Sequence, residues 1–367
     1  MISKFDSLFA GHADLDNLGY GGTPINARRY TNAHLATALS KAEAMAKLMD
    51  GLGYHCFWLA EHHFQREGTE CIPNAILMAL HLAHRTRNLK IGCGFNITPM
   101  WHPLRLAEDY ATADILTGGR IVFGVGRGYH TREVETFGSP LRDQEANREL
   151  FEEQVEIIFK AFNQEAFSHA GKHYTLPPEV PYRGYTLREL TLVPRPFNLP
   201  VECWQPIQGG SAEGGAMHKV VLDWQAAHAK VGKQIGLGER LCFGFHFLMS
   251  DSREQGMKEA AKYYEENMKM FGELRLLRAL SEEQIEIMRD PKRAPTAKLP
   301  RIEDAVRSGG FLCGNAEELI AHLQALEKRY PALERVSVSL SVGVPESLAL
   351  ELLERFATEV MPAFTKR

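Results

Sequence analysis

The sequence has no surplus of positive charge. Its 42 Lys and Arg stand against 46 Asp and Glu, a net charge of -4, so no basic field offers itself to nucleic acid. No apolar run approaches the roughly 20 residues of a membrane-spanning helix, and no membrane role is expected. The start, MISKFDSLFAGHADLDNLGYGG, lacks the basic and then apolar order of a secretory signal, which sets the expectation of a cytoplasmic protein. Cysteine is scarce: Cys56, Cys71, Cys93, Cys203, Cys242 and Cys313 are scattered, with no CxxC pair. That spacing predicts no structural zinc site, and the cysteines read as small core residues in a reducing compartment. Against these absences, 44% hydrophobic residues in a chain of 367 suffice for a large core, and a single domain over 1–367 is expected.

Short apolar runs alternate with helical stretches. Strands are expected at 4–10, 54–60, 89–97, 120–128, 199–207, 239–250 and 334–343. Helices are expected at 31–53, 72–86, 103–119, 146–163, around 220–231 and at 345–364; Gly51 and Gly53 close the first, and Pro103 opens the third. Alternation without a break in composition predicts a parallel α/β sheet, either a closed eightfold barrel or an open doubly wound sheet. Both architectures place a functional site at the C-terminal ends of the strands.

Two segments break the rhythm. Residues 164–198, rich in Pro, Tyr and Gly, read as a surface excursion, and the charged, proline-bearing 272–310 reads as a lid insertion. A third segment is short. Only QGGSAEGGAMHK lies between the strand near Val201 and the next helix, where a full barrel needs a helix and a strand. Seven strands are thus legible, and the sixth unit is expected to be shortened or missing.

Chemistry is concentrated at two strand ends. FWLAEHHF (57–64) runs an apolar strand into Glu61, His62 and His63. Two histidines and a carboxylate could be metal ligands, but neighbouring residues of a strand point to opposite faces, and the later strand ends offer no further ligands, so no metal is expected. They could also be a solvated strand end. FGVGRG (123–128) fits a dinucleotide turn poorly, because its spacing is GxGxG. It fits a tight turn without a ligand, and it fits an anion cradle in which Arg127 supplies a forked donor and Arg148 a second charge. His246 lies inside a strand and reads as a satisfied core histidine. Flat, weakly polar walls, a phosphate turn and a histidine able to move protons near neutral pH together describe a flavin site.

Three blocks carry a family resemblance: GYHCFWLAEHHF (53–64), HPLRLAEDYATADILTGGRIVFGVGRG (102–128), and more loosely FLCGNAEELIAHLQ (311–324) with the final EVMPAF. The chain resembles the bacterial luciferase-like flavin monooxygenases. The resemblance implies a (β/α)8 TIM-barrel-like fold of the α/β class with FMN at the C-terminal strand ends. It implies catalysis by His62, with Glu61 near the flavin and His63 bonded to backbone or a surface carboxylate. It assigns the FMN phosphate to Arg127 with Arg148 as helper, and a non-prolyl cis peptide to Gly94, Phe95 and Asn96. The expected cofactor set further includes Gly126, Gly128, Tyr129, Gln208 and the hydroxyl of Ser211. Gly126 stands where luciferase has a flavin-side cysteine, so emission of light from a long-chain aldehyde is not expected. The activity implied is an FMNH2- and O2-dependent monooxygenase acting on a small organic substrate through a flavin C4a-peroxide. A separate flavin reductase is the implied partner, and a homodimer the implied assembly. Alternatives are a deazaflavin-dependent oxidoreductase of the same superfamily and, given the shortened sixth unit, a non-catalytic flavin-binding relative.

Overall fold

The computed structural model describes residues 1–207, 215–277 and 280–365. In chain order the strands are β1 (Lys4–Phe9), β2 (Cys56–Leu59), β3 (Lys90–Cys93), β4 (Asn96–Ile97), β5 (Ile121–Gly126), β6 (His169–Ala170), β7 (Thr175–Leu176), β8 (Val180–Tyr182), β9 (Tyr185–Leu187), β10 (Cys203–Trp204), β11 (Cys242–Met249), β12 (Phe311–Gly314) and β13 (Arg335–Ser339). The helices are α1 (Asn32–Leu52), α2 (Ala75–Arg85), α3 (Pro103–Leu116), α4 (Thr131–Val134), α5 (Gln144–Asn163), α6 (Gly215–Lys230), α7 (Arg253–Glu273), α8 (Glu282–Met288), α9 (Ile302–Arg307), α10 (Ala316–Arg329) and α11 (Glu346–Arg355). Parallel strands alternate with helices, as expected for the α/β barrel type. Among the described residues no helix is long and apolar enough to cross a membrane.

Two compact units are distinguished: Met1–Trp58, Gln65–Cys71 and Ile207–Arg367 form one, and Leu59–Phe64 with Ile72–Pro206 the other. In the second, β3 and β10 pair in parallel with the two edges of β5, and β4 pairs with the end of β5. All six residues of β5 are buried, which is why its sequence is apolar on both faces. Only Cys203 and Trp204 remain of the strand expected at 199–207, because Pro200 and Pro206 have no N–H for a ladder. The excursion at 164–198 forms two antiparallel hairpins, β6–β7 and β8–β9.

In the first unit the strand order is β2–β1–β13–β11–β12. Helix α1 shows how local sequence sets an element. Thr31 Oγ1 accepts from His34 N at its start, and Gly53, at φ +79°, ends it in the left-handed region. Ala38, Ala42, Met45, Ala46 and Met49, spaced by three and four, form its buried stripe.

Among the described residues the sixth unit shows no strand. Helix α6 ends at Lys230, and residues 231–241 form turns and coil up to β11. Strand β11 pairs with β13 over Cys242–His246 on one edge and with β12 over His246–Met249 on the other. The short β12, which the apolar pattern did not announce as a strand, thus takes the C-terminal half of the edge where a sixth strand would lie. The segment expected to be irregular, 272–310, instead contains α8 and α9. A reciprocal Ser281–Gln284 capping box starts α8, and Ile285, Met288, Leu299 and Ile302 are buried.

A buried ionic cluster fastens the β1–α1 connection to α7. Glu266 is fully buried; it accepts from Arg28 Nη1, from Gly19 N at 3.1 Å and from Lys269 Nζ at 2.8 Å. Lys269 also donates to the carbonyls of Gly19 and Thr23, and Arg28 to those of Asp16 and Asn17. Glu266→Gln leaves two buried cations short of their counter-ion. We expect a loss of about 3–5 kcal/mol of unfolding free energy by urea titration; an unchanged midpoint refutes a structural role for the cluster.

His246 is a correction to the expected satisfied core histidine. It is half-buried, its ring stacks on Phe311 at 6.0 Å, and its Nδ1 is buried without a partner among the described residues. Burial lowers its pKa from 6.5 to about 4. The unfolded chain therefore takes up this proton first. Above pH 6.5 the group has no effect; between pH 6.5 and about 4 it lowers stability as pH falls, and below that its cost is constant. His246→Leu should flatten this part of the stability–pH curve. Equal slopes for the two proteins would refute the assignment.

Candidate active site

The site is built at the C-terminal ends of β2, β3 and β5 by residues of one unit. Strand β2 ends at Leu59, whose carbonyl accepts from Gly94 N at 2.8 Å. Residues 60–64 lie beyond the strand, so the strict alternation expected of His62 and His63 does not govern them. Instead each histidine has its own buried carboxylate. His62, 4% exposed, sets Nδ1 3.2 Å from Glu133 Oε2 and Nε2 2.9 Å from the Tyr129 hydroxyl. His63 Nε2 lies 3.2 Å from Glu61 Oε1, so its partner is a buried carboxylate rather than a surface one.

Glu61 is fully engaged. Its Oε2 accepts from Ile97 N at 2.9 Å, and its Oε1 from Trp101 Nε1 at 2.9 Å. A carboxylate buried to 1% exposure is costly without such donors. Glu133 is similarly tied: its Oε1 accepts from His63 N at 3.0 Å while its Oε2 faces His62. The His130 ring packs edge-on against His62 at 5.0 Å.

The turn after β3 holds the Gly94–Phe95 peptide in the cis form, at the stretch singled out for one. Asn96 is fully buried; its Nδ2 donates to Gly124 O at 2.9 Å, and its Oδ1 has no partner among the described residues. The glycines of FGVGRG admit neighbouring chain. A Cβ at Gly124 would lie 2.1 Å from Cys93 O, and one at Gly126 3.3 Å from Phe95 Cβ. Gly128 stands at φ +82°, and a Cβ there would lie 2.6 Å from Val134. These residues are glycine because the turn crosses β5 closely and because α4 packs back onto it.

Arg127 follows on the same turn. Its Nη1 is buried and bonds to nothing among the described residues, while its carbonyl accepts from Asn147 Nδ2 at 3.3 Å. Asn147 also donates to Pro140 O, which ties the start of α5 to the β5 turn. Arg148, next along α5, is exposed. Gln208 and Ser211 lie outside the described residues. The cysteines of this unit carry no chemistry here: burial pushes the Cys93 and Cys203 thiols up to about 12.

Residues 22–332 match the luciferase-like monooxygenase family. The chain belongs to that family. It is accordingly an oxidoreductase. The oxygenase component of a flavin-dependent trigonelline monooxygenase from Acinetobacter baylyi is 25% identical over 347 residues, 88% of this chain and 89% of that one. Two other curated relatives match over less. An alkanal monooxygenase alpha chain from a Kryptophanaron alfredi symbiont is 29% identical over 39% of each chain, and an uncharacterized Sinorhizobium fredii protein, y4vJ, 30% identical over 42% of each. The chain therefore spans about two fifths of the length of these two. Among solved structures, the monooxygenase RslO1 from Streptomyces bottropensis superposes with a TM-score of 0.70 at 17% identity, covering 98% of this chain and 99% of that one. The oxygenating constituent of 3,6-diketocamphane monooxygenase from Pseudomonas putida, in complex with FMN, gives 0.67 at 18% identity with 99% of each chain covered. At such identities these two establish the luciferase-like fold.

Three members of the site, Glu133, Trp101 and His130, were not found by sequence reasoning. Glu133 and Trp101 sit 71 and 40 positions from the histidine and glutamate they bond, with no local signal linking them. The glycine packing gives a direct test. Gly124→Ala should force β3 from β5 and cost about 1–3 kcal/mol or more in urea unfolding. Gly51→Ala, on α1 with nothing within 4 Å of the added Cβ, should instead stabilise by up to about 1 kcal/mol. The reverse order would show that the glycines of β5 are not there for close approach.

Proposed function

We propose that the protein is the oxygenase component of a two-component monooxygenase, taking reduced FMN from a separate flavin reductase and using O2 to oxidise a small organic substrate. The observation that carries the reading is Arg127. A buried guanidinium nitrogen with no protein acceptor among the described residues costs about 1–3 kcal/mol, and an anionic group at the end of β5 would satisfy it. The residues present fit FMN. Arg127 would hold the phosphate, with exposed Arg148 adding charge. Gly94, Phe95, Asn96, Gly126 and Gly128 would flank the ring system. The division between oxygenase and reductase is supported by the trigonelline relative, which is itself an oxygenase component.

Bound reduced FMN supplies the electrons and the centre at which O2 is activated. The protein's part is to exclude water, to orient and to move protons. His62 is the proton-handling group, because a neutral imidazole both accepts and donates near pH 7. Glu61 acts by position. It fixes Ile97, Trp101 and His63, and so the wall beside the cis turn.

Arg127→Ala should weaken FMN binding by about ten- to a hundredfold, the worth of a charge-assisted contact of roughly 1.5–3 kcal/mol. Flavin-fluorescence titration of the folded variant measures it. Arg148→Ala should act in the same direction and more weakly, since solvent screens it. Unchanged affinity in Arg127→Ala removes the phosphate assignment, and folded wild-type protein that binds deazaflavin F420 but not FMN overturns the cofactor.

A further inference from the structure

Trp101 is held at three points. Its backbone N–H donates to Thr98 O at 2.9 Å, its indole Nε1 donates to Glu61 Oε1 at 2.9 Å, and its carbonyl accepts from Gln154 Nε2 at 2.9 Å. Gln154 lies within α5, buried to 1% exposure and 53 positions from the tryptophan. The same Nε2 donates to the Tyr174 hydroxyl at 2.9 Å, and Tyr174 immediately precedes β7. We propose that Gln154 is a positioning residue of the active site, which through Trp101 sets the Glu61 carboxylate against His63, and that the β6–β7 hairpin is the brace that fixes Gln154. For its effect on turnover this rests on the FMN monooxygenase reading of the same site.

Donors and acceptors fix the orientation of the amide. A backbone carbonyl only accepts, so the amide nitrogen faces Trp101 and the amide oxygen faces away from it. That oxygen, Oε1, is buried and has no partner among the described residues. A buried polar atom without a partner is unfavourable, and an apolar side chain of the same shape would avoid it. The gain from a glutamine here therefore lies in its two donated bonds, which tie α5 to the entry of α3 and to the hairpin. Glu153, the preceding residue of α5, grips the same hairpin. Its carboxylate accepts from His173 N and from Tyr174 N, both at 2.9 Å, and lies 3.1 Å from His169 Nε2. The Tyr174 ring also packs edge-on against His102 at 5.5 Å, and the His102 side chain caps α3 by accepting from Leu104 N. The hairpin thus reaches Trp101 through Gln154 and reaches His102 directly. On the far side of the tryptophan, Glu61 Oε1 receives the indole and lies 3.2 Å from His63 Nε2. A rotation of Trp101 would withdraw the indole, and the carboxylate could then turn about its bond to Ile97 N. A displacement of about 1 Å at a reacting centre can cost about 10²-fold in rate.

The first test needs no cofactor. The chain has four tryptophans, so labelling with 15N-tryptophan gives four indole N–H signals, and the one absent from Trp101→Phe is identified. Glu61→Gln should move that proton upfield, which marks it as the reporter of the carboxylate bond. Gln154→Met keeps the shape of the side chain and removes both donated bonds. It should move the same signal upfield and speed its exchange with deuterium about tenfold, as the loss of roughly one hydrogen bond does. Tyr174→Phe, which removes a single oxygen, should act in the same direction and less. An indole signal unmoved in both folded variants, whatever their urea midpoints, shows a merely structural role and overturns the proposal. The second test follows oxidation by O2 of reduced FMN bound to the protein, in stopped flow. Gln154→Met and Trp101→Phe should change the rate in the same direction, by about tenfold or more, and the double variant should match Trp101→Phe alone, because the glutamine acts only through the tryptophan. Multiplicative effects overturn that path. Failure of wild-type protein to bind FMN overturns the cofactor reading and leaves the indole result standing, whereas an unmoved indole signal in protein that does bind FMN overturns the positioning role alone.

Discussion

The buried carboxylate of Glu61 joins three pieces of chain at one point. It accepts from the backbone of Ile97, from the indole of Trp101 and from His63, and it leaves the solvent almost completely. A polar group buried in that position is tolerable only while all of its donors stay in place. The exit of β2, the turn after β3 and the entry to α3 are therefore held in one arrangement. The neighbouring histidine inherits its placement from that arrangement. Glu133, one element further on, repeats the device by accepting from His63 N and facing His62.

Glycine plays the complementary part. Carboxylates can gather these segments only because β5 lets them come close. The Cys93 carbonyl occupies the space a side chain at Gly124 would need, and Val134 and Ile97 occupy that of Gly128. The glycine-rich turn therefore has a packing reason that is independent of any bound anion. Arg127 supplies what the glycines do not, a buried cationic donor without a partner among the described residues. The two halves of the motif do different work, and only the second speaks for a ligand.

The shortage of residues in the sixth unit was visible in the sequence, and the way it is accommodated was not. Strand β12 is four residues long and lies inside a segment whose pattern speaks first of the helix that follows it. Its pairing with the C-terminal half of β11 depends on an edge left open elsewhere in the chain, which no local period can announce. The same holds for 272–310. Its prolines and charges suggested an irregular lid, yet Ile285, Met288 and Ile302 bury against neighbours and the capping box at Ser281 starts a helix. A few apolar residues at helical spacing decided the segment, and they were outnumbered in composition.

By itself the sequence determined the alternation of strands and helices, the ends of α1 at Thr31 and Gly53, and the motifs that carry the family resemblance. Each of these rests on local chemistry: apolar period, a capping hydroxyl, the freedom of glycine, or a motif of adjacent residues; the cis-peptide turn was reached only through the resemblance. It also brought Glu61, His62 and Arg127 into view, since they end apolar strands. What each of them bonds was decided only by the tertiary structure. Glu133 reaches His62 across 71 positions and Trp101 reaches Glu61 across 40, and His63, read as facing a surface group, shares the buried carboxylate of Glu61. A hydrogen bond depends on distance and direction in space. The spacing along the chain constrains these within a helix or a strand, and carries no information about them once the chain has turned away and come back.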